Sequence, residues 1–233
     1  MCFSKMSCNK TLRPKWRVFI GLACLYLSAC SVNKPIEDDS LAQAQNIEKQ
    51  QLAQQGEQDR QAFQDALQMM QAADAKDADL LVAQAVFDGL YQSNPDYLGA
   101  LVNSADISYR LQQYEQAEAA YAKVLTQLEN TVDIQTQAKV FRVHSLNQLA
   151  LLAREKGQFE QAETLYRQAL AIEPSNPTVI RNLAILLDLY RGKLAEALAL
   201  YEQYQSLQEE PDAKVKDWIF DLKNRMPEES SDE

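Results

Sequence analysis

The chain has 233 residues, 46% apolar and 24% charged, with six Gly, seven Pro, a single His and a formal net charge of −10. That is apolar enough for one or two domains with a real core and too poor in Gly and Pro for disorder throughout. All four cysteines, Cys2, Cys8, Cys24 and Cys30, lie in the first thirty residues, which excludes a disulfide scaffold, a zinc finger or a cysteine nucleophile in the body; the lone histidine argues against a multi-His metal site, and the acid excess against nucleic acid as partner.

Residues 1–29 carry Lys5, Lys10, Arg13, Lys15 and Arg17 and no acid, followed by the apolar run Val18-Phe19-Ile20-Gly21-Leu22-Ala23-Cys24-Leu25-Tyr26-Leu27. A basic start, a run of roughly 10 apolar residues and then small residues is the layout of a cleaved signal peptide. A membrane span needs about 20 such residues. The run ends in Leu27-Ser28-Ala29-Cys30, which resembles the lipobox of bacterial lipoproteins. The resemblance implies cleavage before Cys30, a diacylglycerol thioether on its sulfur and an acyl chain such as palmitate on its new amino group. Several chains at about 0.8 kcal/mol per buried methylene would make the attachment effectively permanent. Gram-negative lipoproteins kept at the inner membrane usually carry aspartate after the cysteine; Ser31 stands there, which implies the outer membrane, facing the periplasm. Without residues 1–29, 18 basic residues remain against 33 acidic ones, a formal −15. So acidic a body favours a partner with basic patches.

Residues 30–61 are Gln-rich and lack a periodic apolar face, so they read as a flexible or weakly helical tether. Fully extended, such a tether reaches on the order of 100 Å. From about residue 62 the apolar residues take up helical spacing. Ala162, Leu165, Tyr166 and Ala169 form one frame, which recurs as Ala197, Leu200, Tyr201, Tyr204, as Ala117, Ala120, Tyr121, Val124, and as Ala83, Val86, Phe87, Leu90. The leading alanines step by 34, 45 and 35 residues. Preceding helices carry the stripes Leu146, Leu149, Ala150, Ala153 and Ile180, Leu183, Ala184, Leu187, each followed by a turn glycine, Gly157 or Gly192. Pro95, Pro174 and Pro211 close second helices, which proline cannot continue.

This two-helix unit resembles the tetratricopeptide repeat from about residue 64 to 211, best over 143–176, where Leu149-Ala150, Gly157, Ala162, Tyr166, Ala169 and Pro174 fill its places. The resemblance implies an all-α fold, a right-handed α-α superhelix of antiparallel helix pairs. Four repeats fall at about 64–97, 98–131, 143–176 and 177–211. The 45-residue step leaves an insertion at 132–142, where Ile134, Ala138 and Phe141 continue the next stripe backward. One longer helix starting near Asp133 is therefore predicted. Departures from the pattern are Gln71 and Asp74 in repeat one, Ser104 and Ser108 in repeat two, and one extra residue in the turn 188–192 of repeat four. A last helix over 212–226, with Val215, Trp218, Ile219, Leu222 and Met226 on one face, is predicted to cover the end of the solenoid and leave Phe220 exposed. Residues 227–233 form an acidic tail.

No catalytic constellation emerges. His144 and Ser145 are neighbours on one helix and point apart. The acidic runs Glu37-Asp38-Asp39 and Glu209-Glu210 have no calcium-loop pattern, and there is no Gly-rich phosphate loop. The expectation is a chain that is not an enzyme and takes no metal, cofactor or small-molecule substrate. In the family resembled, the first helix of each pair lines a concave face that takes an extended peptide or a partner helix. Carried onto this chain, the inward places are Val102, Asn103, Asp106 and Tyr109, then His144, Asn147, Gln148 and Leu151, then Arg181, Asn182, Ile185 and Asp188. Asn103 and Asn182 stand where the family often holds a ligand backbone. Asn147 and Leu151 replace the lysine–asparagine pattern that clamps a terminal carboxylate, so such a ligand is not expected. The resemblance thus implies a lipid-anchored scaffold for another envelope protein or peptide. Narrower readings of the same plan are a pilotin-like helper of secretin or type IV pilus assembly, an adaptor for cell-wall hydrolases or a protease, and an accessory to an inner-membrane energy-transducing complex.

Overall fold

The computed structural model describes residues 37–129 and 136–226, with side chains from residue 43. The expected signal peptide, Cys30, Asp133, Ile134 and residues 227–233 lie outside the described residues. Among those described, every regular element is helical: α1 (Glu37–Gln71), α2 (Asp77–Ser93), α3 (Leu98–Arg110), α4 (Tyr114–Glu129), α5 (Thr136–Glu155), α6 (Phe159–Ile172), α7 (Pro177–Leu186) running into a π-helical turn (Leu187–Arg191), α8 (Leu194–Ser206) and α9 (Ala213–Arg225). The chain divides into two units inside α1, after Glu48. Of the first, residues 37–48 are described as helix, with residues 43–48 exposed.

The Gln-rich stretch, expected as a flexible or weakly helical tether, is helical from Glu37 onward. Gln, Ala, Glu and Lys are good helix formers, and side chains one turn apart join on the surface, as Gln55 Nε2 to Asp59 Oδ1 at 2.8 Å and Gln61 Nε2 to Asp65 Oδ1 at 2.8 Å. A helix can form this way without an apolar face; Ile47 and Leu52 remain exposed.

The leading alanine and the aromatic of the expected frame are buried in all four pairs, while Val86, Ala120, Leu165 and Leu200 are half-buried. Ala83, Phe87, Ala117, Tyr121, Ala162, Tyr166, Ala197 and Tyr201 are at most 1% exposed. The small alanines let the paired helices approach, and the aromatic ring one turn later fills the space they leave. Asn176 caps α7, its Oδ1 accepting from Val179 N at 3.1 Å with Pro177 next to it, and Asp212 caps α9 from Lys214 N and Val215 N. Gly157 and Gly192 take left-handed φ of 73° and 63° at the expected turns.

The departures each find a local solution. Ser104 and Ser108 are buried, yet the Ser104 hydroxyl donates to Asp88 Oδ1 at 2.6 Å and Gln84 Nε2 donates to Ser108 Oγ at 2.7 Å, so the polar seam between α2 and α3 is satisfied. The extra residue of repeat four is absorbed by the π-helical turn, which buries Leu186 and Leu187 together and turns Leu189 outward. There Tyr190 stacks on Phe159 at 4.7 Å. Arg191 of this turn reaches back to Glu163 at 3.0 Å and to Glu160, while Lys193 and Arg167 reach Glu163 at 2.5 and 2.8 Å. Burial by itself would raise the Glu163 carboxyl, but the hydrogen bonds from Lys193, Arg167 and Arg191 outweigh it and hold it down at about 2.

The long α5 is present from Thr136, and it joins two cores. Ala138 and Phe141 pack on the N-terminal core with Phe87, Ala100 and Val124, whereas Val143, Leu146, Ala150 and Ala153 belong to the C-terminal core with Ile180, Leu183 and Tyr201. Helix α9 closes the far end with Val215 and Leu222 fully buried and the Trp218 ring 5.7 Å from Tyr201; Phe220 is 70% exposed.

Candidate protein-binding groove

The first helices α3, α5 and α7 pack in succession, which lines up the residues carried over as groove positions. A polar path crosses them. Asp106 Oδ1 on α3 receives the Tyr121 hydroxyl at 2.5 Å and His144 Nε2 on α5 at 2.7 Å. Burial, and then the adjacent Asp106 carboxylate, push the Tyr121 hydroxyl far above its ordinary range. One turn further, Asn182 Nδ2 on α7 donates to Asn147 Oδ1 on α5 at 2.9 Å. That bond leaves Asn147 Nδ2 and Asn182 Oδ1 without a partner among the described residues. Arg181 lies over the Tyr204 ring at 5.7 Å.

Other carried-over positions turn away from the groove. Val102 is 6% exposed, a correction, because it joins Ala100 and Leu101 in the contact that α3 makes with the N-terminal core. Asp188, 8% exposed, is also corrected: the π-helical turn rotates it onto Arg225 of α9 at 2.5 Å, beside the Tyr201 hydroxyl. Tyr109 packs on Tyr114 at 5.7 Å, and its hydroxyl is raised by burial and then by Glu155. Ile185 leans on the C-terminal core, Leu151 is half-buried, and Gln148 Oε1 is buried without a partner.

Two clefts open on either side of the inserted turns of α5, and sequence reasoning missed both. On one side Phe63 of α1, Tyr97, and Phe141 of α5 surround Gly99, with Asn103 at the edge and a volume of about 540 Å³. Phe63 stacks on Tyr97 at 5.1 Å, and Asn103 Nδ2 donates to Gly99 O at 2.8 Å. A methyl group on Gly99 would already touch the Phe141 and Phe63 rings, at 3.5 and 3.6 Å. On the other side Val140, Val143 and Val179 line a cleft of about 180 Å³ with His144, Asn147 and Glu173. Of the rings only Phe141 was legible, as a residue of the stripe that α5 continues; no sequence spacing links Phe63, Gly99 and Phe141.

Among the described residues no cluster of three or more His, Cys, Asp or Glu is placed to hold a metal ion, and no helix is long and apolar enough to cross a membrane. The Ser145 hydroxyl is buried without a partner while His144 is bonded to Asp106, so these neighbours do not form a nucleophile–base pair.

Residues 98–127 and 143–186 match family models described as tetratricopeptide repeat. The chain carries tetratricopeptide repeats. The matches fall on α3–α4 and on α5 through α7. A 109-residue stretch is 28% identical to the cellulose synthase operon protein C of Pseudomonas fluorescens (strain SBW25), covering 47% of this chain and only 8% of that protein. Among solved structures, MamA superposes with a TM-score of 0.51 at 13% identity, over 63% of this chain and 78% of that one. The MamA RS-1 ArsTM double mutant gives 0.56 at 14%, over 72% and 83%. A chain of the Cut9–Hcn1 hetero-tetramer of the APC/C gives 0.54 at 12%, over 62% and 27%. These likenesses establish the fold, an α-α solenoid.

Proposed function

We propose that this chain is a lipid-anchored, non-catalytic adaptor of the cell envelope, held at Cys30 and binding a segment of another envelope protein along α3, α5 and α7. The observation that carries the binding half is the Asn147–Asn182 pair. Its remaining donor and acceptor, one on each helix, match the C=O and N–H of a peptide unit lying across the seam. Lipid attachment rests on the basic start, the apolar run and Leu27-Ser28-Ala29-Cys30, and the outer membrane, facing the periplasm, on Ser31. Mild crosslinking in whole cells followed by pull-down is expected to recover a partner that is lost with Arg181→Ala plus Asn182→Ala. Recovery of no partner, or of one indifferent to those substitutions, overturns the groove. Labelled palmitate is expected in the protein and absent from Cys30→Ala, whose product leaves the membrane fraction; label retained by that variant overturns the anchor.

A further inference from the structure

The inserted turns of α5 form a ridge with a different chemistry on each flank. Gln137 and Phe141, one turn apart, face the aromatic cleft over Gly99; Val140, Val143 and His144 face the cleft toward α7. The first cleft has the Phe63, Tyr97 and Phe141 rings around Gly99, with Glu57, Arg60, Gln61, Gln64 and Gln137 completing its walls. The second has three valines on its walls and the Glu173 carboxylate at its end. Glu173 accepts from Asn176 Nδ2 at 3.0 Å, and among the described residues no cation pairs with it. Glu173 is thus a carboxylate without a cation beside the apolar side chains of Val140, Val143 and Val179.

We infer that the α5 ridge is a two-pocket recognition element for an extended partner segment carrying one basic and one large apolar side chain. The basic residue lays its aliphatic stem along Val140, Val143 and Val179 and sets its charged head on Glu173. The apolar residue fills the aromatic cleft over Gly99, where ring faces and edges are preferred contacts for Phe, Leu or Met. A helix with its side chains is about 10–12 Å across, and an extended chain advances about 3.3 Å per residue, so the two residues stand three or four apart. Charge agrees with this occupant: the chain has 33 acidic residues against 23 basic ones and attracts basic segments. The inference rests on the groove reading above, because the segment reaches both pockets by crossing α5.

The test is selection of a phage-displayed random dodecapeptide library on the full chain in detergent micelles, with synthetic copies of enriched peptides measured by titration. Enriched peptides are expected to hold Lys or Arg three or four residues from Phe, Leu or Met. Glu173→Gln is expected to weaken them about fivefold, the worth of a partly exposed ion pair. Gly99→Leu, which fills the aromatic cleft, is expected to weaken them about tenfold, the worth of burying one apolar side chain. A melting curve shows whether Gly99→Leu is folded; Phe141→Ala serves in its place if it is not. Peptides that lose binding with Arg181→Ala plus Asn182→Ala but ignore Glu173→Gln and both cleft variants overturn the two-pocket inference and leave the groove standing. Failure to enrich any peptide overturns both. Enriched acidic segments, or enrichment without the spacing, overturn the inference alone.

Discussion

Gln112, Gly157 and Gly192 occupy the same place in successive inter-helix turns, with φ of 60°, 73° and 63°. The left-handed region costs an ordinary side chain about 1 kcal/mol because Cβ crowds the following carbonyl, and glycine escapes that cost. Gln112→Gly is therefore expected to stabilise the protein by about 1 kcal/mol and Gly157→Ala to destabilise it by a similar amount. Urea unfolding of the two variants checks the pair; equal midpoints would show that the turns are not strained. The tyrosines teach a related lesson. Tyr121 and Tyr201 give their hydroxyls to Asp106 and Asp188, whereas the buried Tyr166 hydroxyl has no partner, Leu151 standing fifteen residues before it as Asp106 does before Tyr121. That all three are core was legible from spacing. Which hydroxyls are satisfied depends on the facing helix, and no local pattern reports it.

Among the elements, α5 and the π-helical turn were only partly readable. The apolar stripe announced a longer helix, but the helix rotates its inserted turns against the N-terminal core and its later turns against the other, and the two flanking clefts follow from that. The extra residue at 188–192 was visible as a miscount; its accommodation as a π-helical turn places Arg191 on Glu163, a cross-repeat clamp. This clamp carries a pH signature. Since the folded-state carboxyl of Glu163 is depressed to about 2, it binds its proton less readily in the folded than in the unfolded chain. Its contribution is fully present above the ordinary glutamate range and is lost as pH falls through about 2. Unfolding free energy followed from pH 7 to pH 2 is expected to drop more steeply in the wild type than in Glu163→Gln. Parallel curves would remove the clamp as a source of acid sensitivity.

For the whole unit from Lys49 onward, stability is shared between neighbouring repeats, so its last surface must be covered. Helix α9 does this with Val215 and Leu222 against α8, while the Tyr204 hydroxyl donates to Asp212 at the entrance of the helix. A chain ending after Gln208 is expected to melt at lower temperature and to self-associate in size-exclusion chromatography, because Tyr201 and Tyr204 lose their cover. Unchanged melting and a monomeric profile would show that α9 is dispensable. The helical periodicity, the turn positions and the covering helix were determined by sequence alone, because 3.6-residue periodicity, left-handed turn glycines and closing prolines are local properties written residue by residue. The tertiary structure decided which groove positions remain open and which are consumed, turning Val102 into core and Asp188 into a tie for Arg225. It also brought Phe63, Gly99 and Phe141 around one cleft and left Glu173 open in another. Those outcomes depend on how far each helix rotates against its neighbours, and that rotation is set by packing among residues distant in the chain.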